Sequence, residues 1–323
     1  MDNEKRYHYQ GQIIYQASQP EYHSPKGDIM TAQIIDGKAI SEKLLSEIAL
    51  DVEAMVKQGL PRPGLAAVLV GENPASQQYV KMKRKTCEKN GLESYGYELP
   101  KTASQAEVEA LVKELNADPK VNGILVQLPL PDHLDDEKIL NSISIEKDVD
   151  GFHPINIGRL AQKGREPLFV PCTPDGCIYL IDQTGFQLKG SNAVVLGRSN
   201  IVGMPVALLL VKRDATVTIC HSRSKDLPSI CRSADVLIAA VGRPEMVKAD
   251  WIKPGAVVID VGTNRIDDPS LEKGYRLAGD VDFNAAKEVA GWISPYPGGV
   301  GPMTITMLLR NTVRAAKIQA GVL

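Results

Sequence analysis

The sequence predicts an α/β protein of two domains: a smaller α/β unit, then a doubly wound, Rossmann-like domain with a parallel sheet and helices on both faces. Three observations predict it. Strand-length apolar runs alternate with helix-period segments along most of the chain. Residues 191–223, SNAVVLGRSNIVGMPVALLLVKRDATVTICHSR, read as one strand, turn, helix and strand. The length, 323 residues, suits about two domains.

The elements follow in order. Ile40, Leu44, Leu45, Ile48, Val52, Met55 and Val56 fall at helical spacing over 38–57. Leu65 to Val70 is a short apolar strand between Pro63-Gly64 and Gly71. A helix then starts at Asn73-Pro74, with Asn as N-cap and Pro at the first position, and stops at Gly91. Strands near 94–99 and 123–128 flank a helix through Val108, Leu111, Val112 and Leu115. A polar, proline-containing loop is expected over about 141–175. Beyond it come strands near 193–196, 216–220, 235–241 and 256–261, and a last helix over 303–318 that could pack back on the first domain. The expected division is a disordered leader, 1–29, either native or added; a first domain, 30–150, joined by the C-terminal helix, 303–323; and a second domain, 151–302.

Composition narrows the function. Lys plus Arg total 37 against 39 Asp plus Glu, so the net charge of −2 gives no general pull toward nucleic acid or anionic membrane. No apolar stretch has the length of a membrane span, and the leader lacks the apolar run of a secretory signal. The five cysteines, Cys87, Cys172, Cys177, Cys220 and Cys231, are scattered without a C-x-x-C pair, which argues for a reducing compartment. His8, His23, His133, His153 and His221 have no ligand-spaced partner, so no metal site is expected.

The 191–223 unit is built to hold a dinucleotide. Gly197 ends the strand and Gly203 and Pro205 open the helix, so turn N–H groups and the helix N-terminus would meet a pyrophosphate. The glycine spacing is not G-x-G-x-x-G. After the second strand no Asp or Glu stands ready for a free ribose 2′-hydroxyl. His221, Ser222, Arg223, Ser224 and Lys225 stand there instead, with Arg198 in the turn, and this set favours NADP over NAD. A solvated loop after a buried strand is the plainer alternative.

The loops then identify a family. YVKMKRK at 79–85, VQLPLP at 126–131, KDVDGF at 147–152, GRSNIVGMP at 197–205, DVGTNR at 260–265, GDVDF at 279–283 and PGGVGPMT at 297–304 closely resemble the bifunctional methylenetetrahydrofolate dehydrogenase/cyclohydrolases. The likeness runs from Met30 essentially to the C-terminus. It implies oxidation of 5,10-methylenetetrahydrofolate with NADP and hydrolysis of the product to 10-formyltetrahydrofolate, in a cleft between the domains. It also implies a cytoplasmic homodimer of one-carbon metabolism and purine biosynthesis, with tetrahydrofolate derivatives as its partners.

The resemblance selects among readings that the residues leave open. Tyr79 and Lys83 are i and i+4 on one helix face, where Lys81, Arg84, Lys85 and Lys89 otherwise suggest a solvated basic surface. A lysine with a lowered pKa could move protons near neutral pH. Gln127, at a strand end, could hold it. Asp150 could accept paired hydrogen bonds from a pterin edge or merely brace its loop in an Asx-turn. The resemblance makes Lys83, Tyr79, Gln127 and Asp150 catalytic. It adds Ser76, Leu128, Pro297, Gly298, Gly299 and Val300 as substrate contacts, and Gly197, Arg198, Ser199, Ser222, Arg223 and Thr263 as cofactor contacts. The glycines of PGGVGPMT, including Gly301, would let backbone approach a flat ligand. The rivals are an NADP-dependent dehydrogenase of the amino-acid or shikimate type and a nucleotide-binding protein without catalysis.

Overall fold

A computed structural model describes residues 31–272 and 274–323; the expected leader lies outside the described residues. The first half runs β1 (Gln33–Ile34), α1 (Gly37–Lys57), β2 (Gly64–Val70), α2 (Pro74–Lys89), β3 (Glu93–Leu99), α3 (Gln105–Ala117), β4 (Gly123–Val126) and α4 (Asp136–Asn141). It continues through α5 (Pro154–Ala161) and α6 (Cys172–Gln183) into β5 (Asn192–Leu196), α7 (Gly203–Lys212), β6 (Thr216–Cys220), α8 (Leu227–Arg232) and β7 (Val236–Ala239). Last come β8 (Val257–Asp260), β9 (Asn264–Asp267), β10 (Tyr275–Ala278), α9 (Phe283–Ala286), β11 (Trp292–Ile293) and α10 (Val300–Gln319).

Two parallel sheets result. β3-β2-β4 form one, and β1-β11-β8-β7-β5-β6 form the other, with β9 and β10 as a separate antiparallel pair. β2 is buried along its whole length, as an apolar strand covered on both faces must be. The core does not stop between the halves. Leu44, Ile48 and Val52 of α1, Leu65 and Leu69 of β2, Leu180 of α6, Val195 of β5 and Leu308 of α10 share one buried cluster. The last helix does return to the first half: Asn311 Nδ2 donates to Val149 O at 2.9 Å, and Gln319 Nε2 donates to Asn122 O at 2.9 Å.

Several expectations need correction. The loop expected over 141–175 contains α5, which Pro154 opens while His153 Nδ1 accepts from Ile155 N–H, and α6 already begins at Cys172. Eight residues of α5 are too few for a periodic signal. The strand expected to reach Leu128 ends at Val126, because Pro129 has no N–H to continue a ladder. The strand expected over 235–241 closes at Ala239. The final helix starts at Val300, with Pro302 inside its first turn where a missing N–H costs nothing.

Candidate active site

Helix α2 brings the first set of side chains together. Asn73 accepts from the N–H groups of Ala75 and Ser76 at 3.0 and 3.2 Å, fixing where the helix starts. Ser76, Val80, Lys83 and Cys87 then form its buried face, while Lys81, Lys85 and Lys89 remain in solvent. Lys83 therefore occupies a core position. Its Nζ lies 4.8 Å from the centroid of the Tyr79 ring and donates to Gln127 Oε1 at 3.2 Å. Gln127 Nε2 donates to Leu128 O at 2.7 Å, which turns the amide oxygen toward the lysine.

Burial pushes the Lys83 ammonium below its usual range, against the opposing pull of Asp150 and Cys172. Tyr79 is driven the other way. Burial raises its phenol to about 12, and a hydrogen bond with Thr304 partly offsets this.

Loop bracing belongs to Asp148. Its carboxylate accepts from Phe152 N–H at 3.1 Å, His153 N–H at 2.9 Å and Asn156 Nδ2 at 2.8 Å. Asp150 is left to face Lys83 and a hydrogen bond with the Cys172 thiol; burial raises its pKa, with both neighbours opposing. Gly151 makes this turn feasible at φ +78, since a Cβ there would stand 2.6 Å from Pro171 N.

The glycine loop closes on the start of α1. Gly298 has φ +103, its carbonyl accepts from Lys38 N–H at 2.9 Å, and a Cβ on Gly37 would stand 1.9 Å from Gly299 O. Gly299 itself is tight, 2.6 Å from Pro295 O for a Cβ, whereas Gly301 faces open space. Pro297 is exposed and Val300 buried. Thr304, one turn into α10, links Tyr79 to Thr173 Oγ1 at 2.9 Å. Sequence reasoning missed Cys172, Thr173 and Thr304. The first two stand in a Pro-bounded PCTP that reads as loop, and Thr304 ends the PGGVGPMT string without an evident task.

A second cradle lies at the C-terminal edge of the six-stranded sheet. Gly197 has φ +115 with no room for a side chain, 2.0 Å from Ala240 O, and a Cβ on Gly203 would stand 2.3 Å from Gly197 O. Such a turn into α7 fits a pyrophosphate. Ser199 closes it by accepting from Val202 and Gly203 N–H at 3.2 and 3.3 Å. Arg198, Ser222 and Arg223 are exposed around it, and Thr263 is exposed between β8 and β9. His221 Nδ1 accepts from Arg223 N–H at 3.2 Å, which shapes the loop after β6. Among the described residues no three His, Cys, Asp or Glu side chains gather as metal ligands, and all five cysteines are buried free thiols.

A sheet-edge dinucleotide cradle, a buried lysine and a glycine loop in one chain define a two-domain oxidoreductase of the Rossmann class. The chain belongs to the tetrahydrofolate dehydrogenase/cyclohydrolase family, whose catalytic domain matches residues 35–150 and whose NAD(P)-binding domain matches residues 171–320. It is 59% identical over 287 residues to bifunctional protein FolD 2 of Arabidopsis thaliana, covering 89% of this chain and 96% of that protein. FolD of Moorella thermoacetica is 55% identical over 288 residues, covering 89% of this chain and 100% of that protein. The Trypanosoma brucei methylenetetrahydrofolate dehydrogenase-cyclohydrolase, solved with NADP and an inhibitor, superposes with TM-score 0.86 at 42% identity, covering 90% and 98% of the two chains. The amino-acid or shikimate alternative finds no support in these matches. No described helix is long and apolar enough to cross a membrane.

Proposed function

We propose that the protein oxidises 5,10-methylenetetrahydrofolate to the 5,10-methenyl cation with NADP and hydrolyses that cation to 10-formyltetrahydrofolate at the same site. The carrying observation is the buried Lys83 amine, held 3.2 Å from Gln127 Oε1 and over the Tyr79 ring.

In this reading Gly197, Arg198, Ser199, Ser222, Arg223 and Thr263 would hold NADP, which would supply the hydride acceptor. Asp150 takes the donor edge of the pterin, while Ser76, Leu128 and the Pro297–Val300 loop fix its plane. Orientation of this kind lowers a barrier without any titrating group. Hydrolysis asks more. The neutral Lys83 amine takes a proton from water as its oxygen bonds the methenyl carbon; the resulting ammonium returns a proton to the ring nitrogen as the carbon–nitrogen bond breaks, and the added hydroxyl gives up its proton to solvent as the formyl carbonyl forms. Tyr79 shields the amine and Gln127 aims it. The fully functional chain would be a homodimer in the cytoplasm, with residues 30–150 and 303–323, apart from the β1 strand that joins the second sheet, forming the folate-binding domain and 151–302 the NADP-binding domain.

The test is turnover of methylenetetrahydrofolate with NADP and with NAD side by side, following methenyltetrahydrofolate absorbance. Its appearance with NADP and subsequent decay above the spontaneous rate is the expected result. No absorbance with either cofactor would reject the reading. Light scattering checks the dimer, and a monomer mass at micromolar concentration would reject that part; cell fractionation checks the compartment.

A further inference from the structure

Two motifs, DVGTNR at 260–265 and GDVDF at 279–283, each supply a carboxylate, Asp260 and Asp280, sealed from solvent and given no task in the proposed chemistry. Asp260 is 3% exposed and Asp280 0%. Asp280 accepts from the successive N–H groups of Val241, Gly242 and Arg243 at 2.6, 3.0 and 2.9 Å, and from Asn264 Nδ2 at 2.8 Å. Successive N–H groups converging in this way form a concavity that suits an anion. Here the chain's own carboxylate fills it. All four partners are donors, so both oxygens of the Asp280 side chain act as acceptors.

Asp280 rests in turn on Asp260. The Asp280 and Val281 N–H groups donate to Asp260 at 2.8 and 3.0 Å, as does Gly262 N–H at 2.9 Å. Asp260 N–H donates to Ser294 Oγ at 2.8 Å. The packing leaves no slack: a Cβ on Gly262 would lie 2.3 Å from Asp280 Oδ1, and one on Gly279 1.9 Å from Asp260 Oδ2. Backbone and amide N–H groups surround the pair.

Sheet order gives the pair its meaning. The Gly197 turn follows β5, the neighbour of β6 on one side and β7 on the other, with β8 beyond β7. A dinucleotide whose pyrophosphate crossed the end of β5, and whose adenosine reached the loop after β6, would direct its nicotinamide half toward the loops that follow β7 and β8. Those loops are Val241–Arg243 and Val261–Thr263. Asp280 ties down the first directly and the second through Asn264, while Asp260 holds Gly262.

We propose that Asp280, seated on Asp260, is the positioning residue for the nicotinamide half of the cofactor: it locks the loops after β7 and β8 into one floor and places buried negative charge beneath the ring. The proposal rests on the dinucleotide reading above. The charge attracts a cationic ring and does nothing for a neutral one, so the floor favours the oxidised cofactor over the reduced.

The experiment measures the dissociation constants of NADP+ and NADPH by equilibrium titration for the full chain, Asp280→Asn and Asn264→Ala. In each, cofactor-free hydrolysis of methenyltetrahydrofolate reports whether the folate half is intact. Asp280→Asn is expected to weaken NADP+ at least about threefold more than NADPH, leaving hydrolysis unchanged. Equal weakening of both forms would reduce Asp280 to scaffolding and overturn the charge argument. Unchanged binding of both would overturn the whole proposal. Should Asp280→Asn fail to fold, Asn264→Ala, which removes one donor and frees the segment beside Thr263, must weaken both forms with hydrolysis intact, or the positioning role falls. A wild-type protein that binds neither form would reject the dinucleotide reading instead.

Discussion

Lys83 and Gln127 are joined by a 3.2 Å hydrogen bond whose acceptor is fixed, because the other end of the amide is spent on Leu128 O. The amine thus has one resting direction. Lys83→Met should lower cyclohydrolase activity by about 10²–10⁴, the usual worth of a positioned proton carrier, while dehydrogenase activity falls less. Hydrolysis of methenyltetrahydrofolate at fixed pH, corrected for the spontaneous reaction, checks this. A mutant hydrolysing at wild-type speed would remove Lys83 from the chemistry.

The pH profile should report the same lysine. Burial lowers its pKa and Asp150 pulls it back up, so the active neutral amine accumulates as pH rises through the folded value. Asp150→Asn removes the opposing charge. The rising limb of the hydrolysis profile should then move to lower pH, whatever happens to its height. A limb that stays put, or moves upward, would show that another group titrates.

Asp148 makes a stability prediction. Burial raises its carboxyl to about 7 in the folded protein, with hydrogen bonds from His153 and Asn156 opposing. In the unfolded chain a free Asp titrates near 3.9. The favourable contribution is therefore complete below the unfolded value and is lost as pH rises through about 7. Asp148→Asn should flatten the fall in denaturation free energy between roughly pH 4 and 7, relative to wild type. Parallel curves for the two proteins would contradict the assignment.

Gly37→Ala tests the contact between α1 and the glycine loop. Its methyl would collide with Gly299 O. Overpacking of this kind costs about 1–3 kcal/mol, and the displaced loop should raise the KM for folate without altering the Kd for NADP. An unchanged folate KM would separate the loop from substrate binding.

Arg198 is exposed in the turn after β5, free to meet a 2′-phosphate. A charge-assisted hydrogen bond is worth about 1.5–3 kcal/mol, so Arg198→Ala should weaken NADP by about tenfold or more and NAD hardly at all. Titration with both cofactors decides it. Equal losses would mean that the arginine does not read the phosphate.

Much of this architecture was legible because local and global signals agree. The Asn73-Pro74 start and Gly91 stop bracket α2, and the apolar runs of β2 and of β5 after Asn192 are the marks of buried parallel strands. Lys83 was harder. Spacing put it on a face with Tyr79, but only the fold shows that this face is the buried one. The loop-bracing alternative for Asp150 falls to Asp148, which accepts from N–H groups four and five residues on rather than in an Asx-turn, since two acids in D-V-D look alike until the loop's N–H groups choose between them. Cys172, Thr173 and Thr304 escaped notice because their partners are 20 or more residues away along the chain, beyond any local pattern. The short β1 and β11 carry too few residues to register.

β1 and α10 have exchanged allegiances. The first strand described pairs with β11 at the far edge of the second sheet, Gln33 opposite Trp292, while the last helix bonds through Gln319 to Asn122 and through Lys317 to Asp51 of α1. Each half is sewn shut with thread from the other. Neither can be excised along a linear boundary without leaving an open edge or a bare apolar face, so the two halves should melt together. A single cut between α5 and α6 should yield fragments that stay associated.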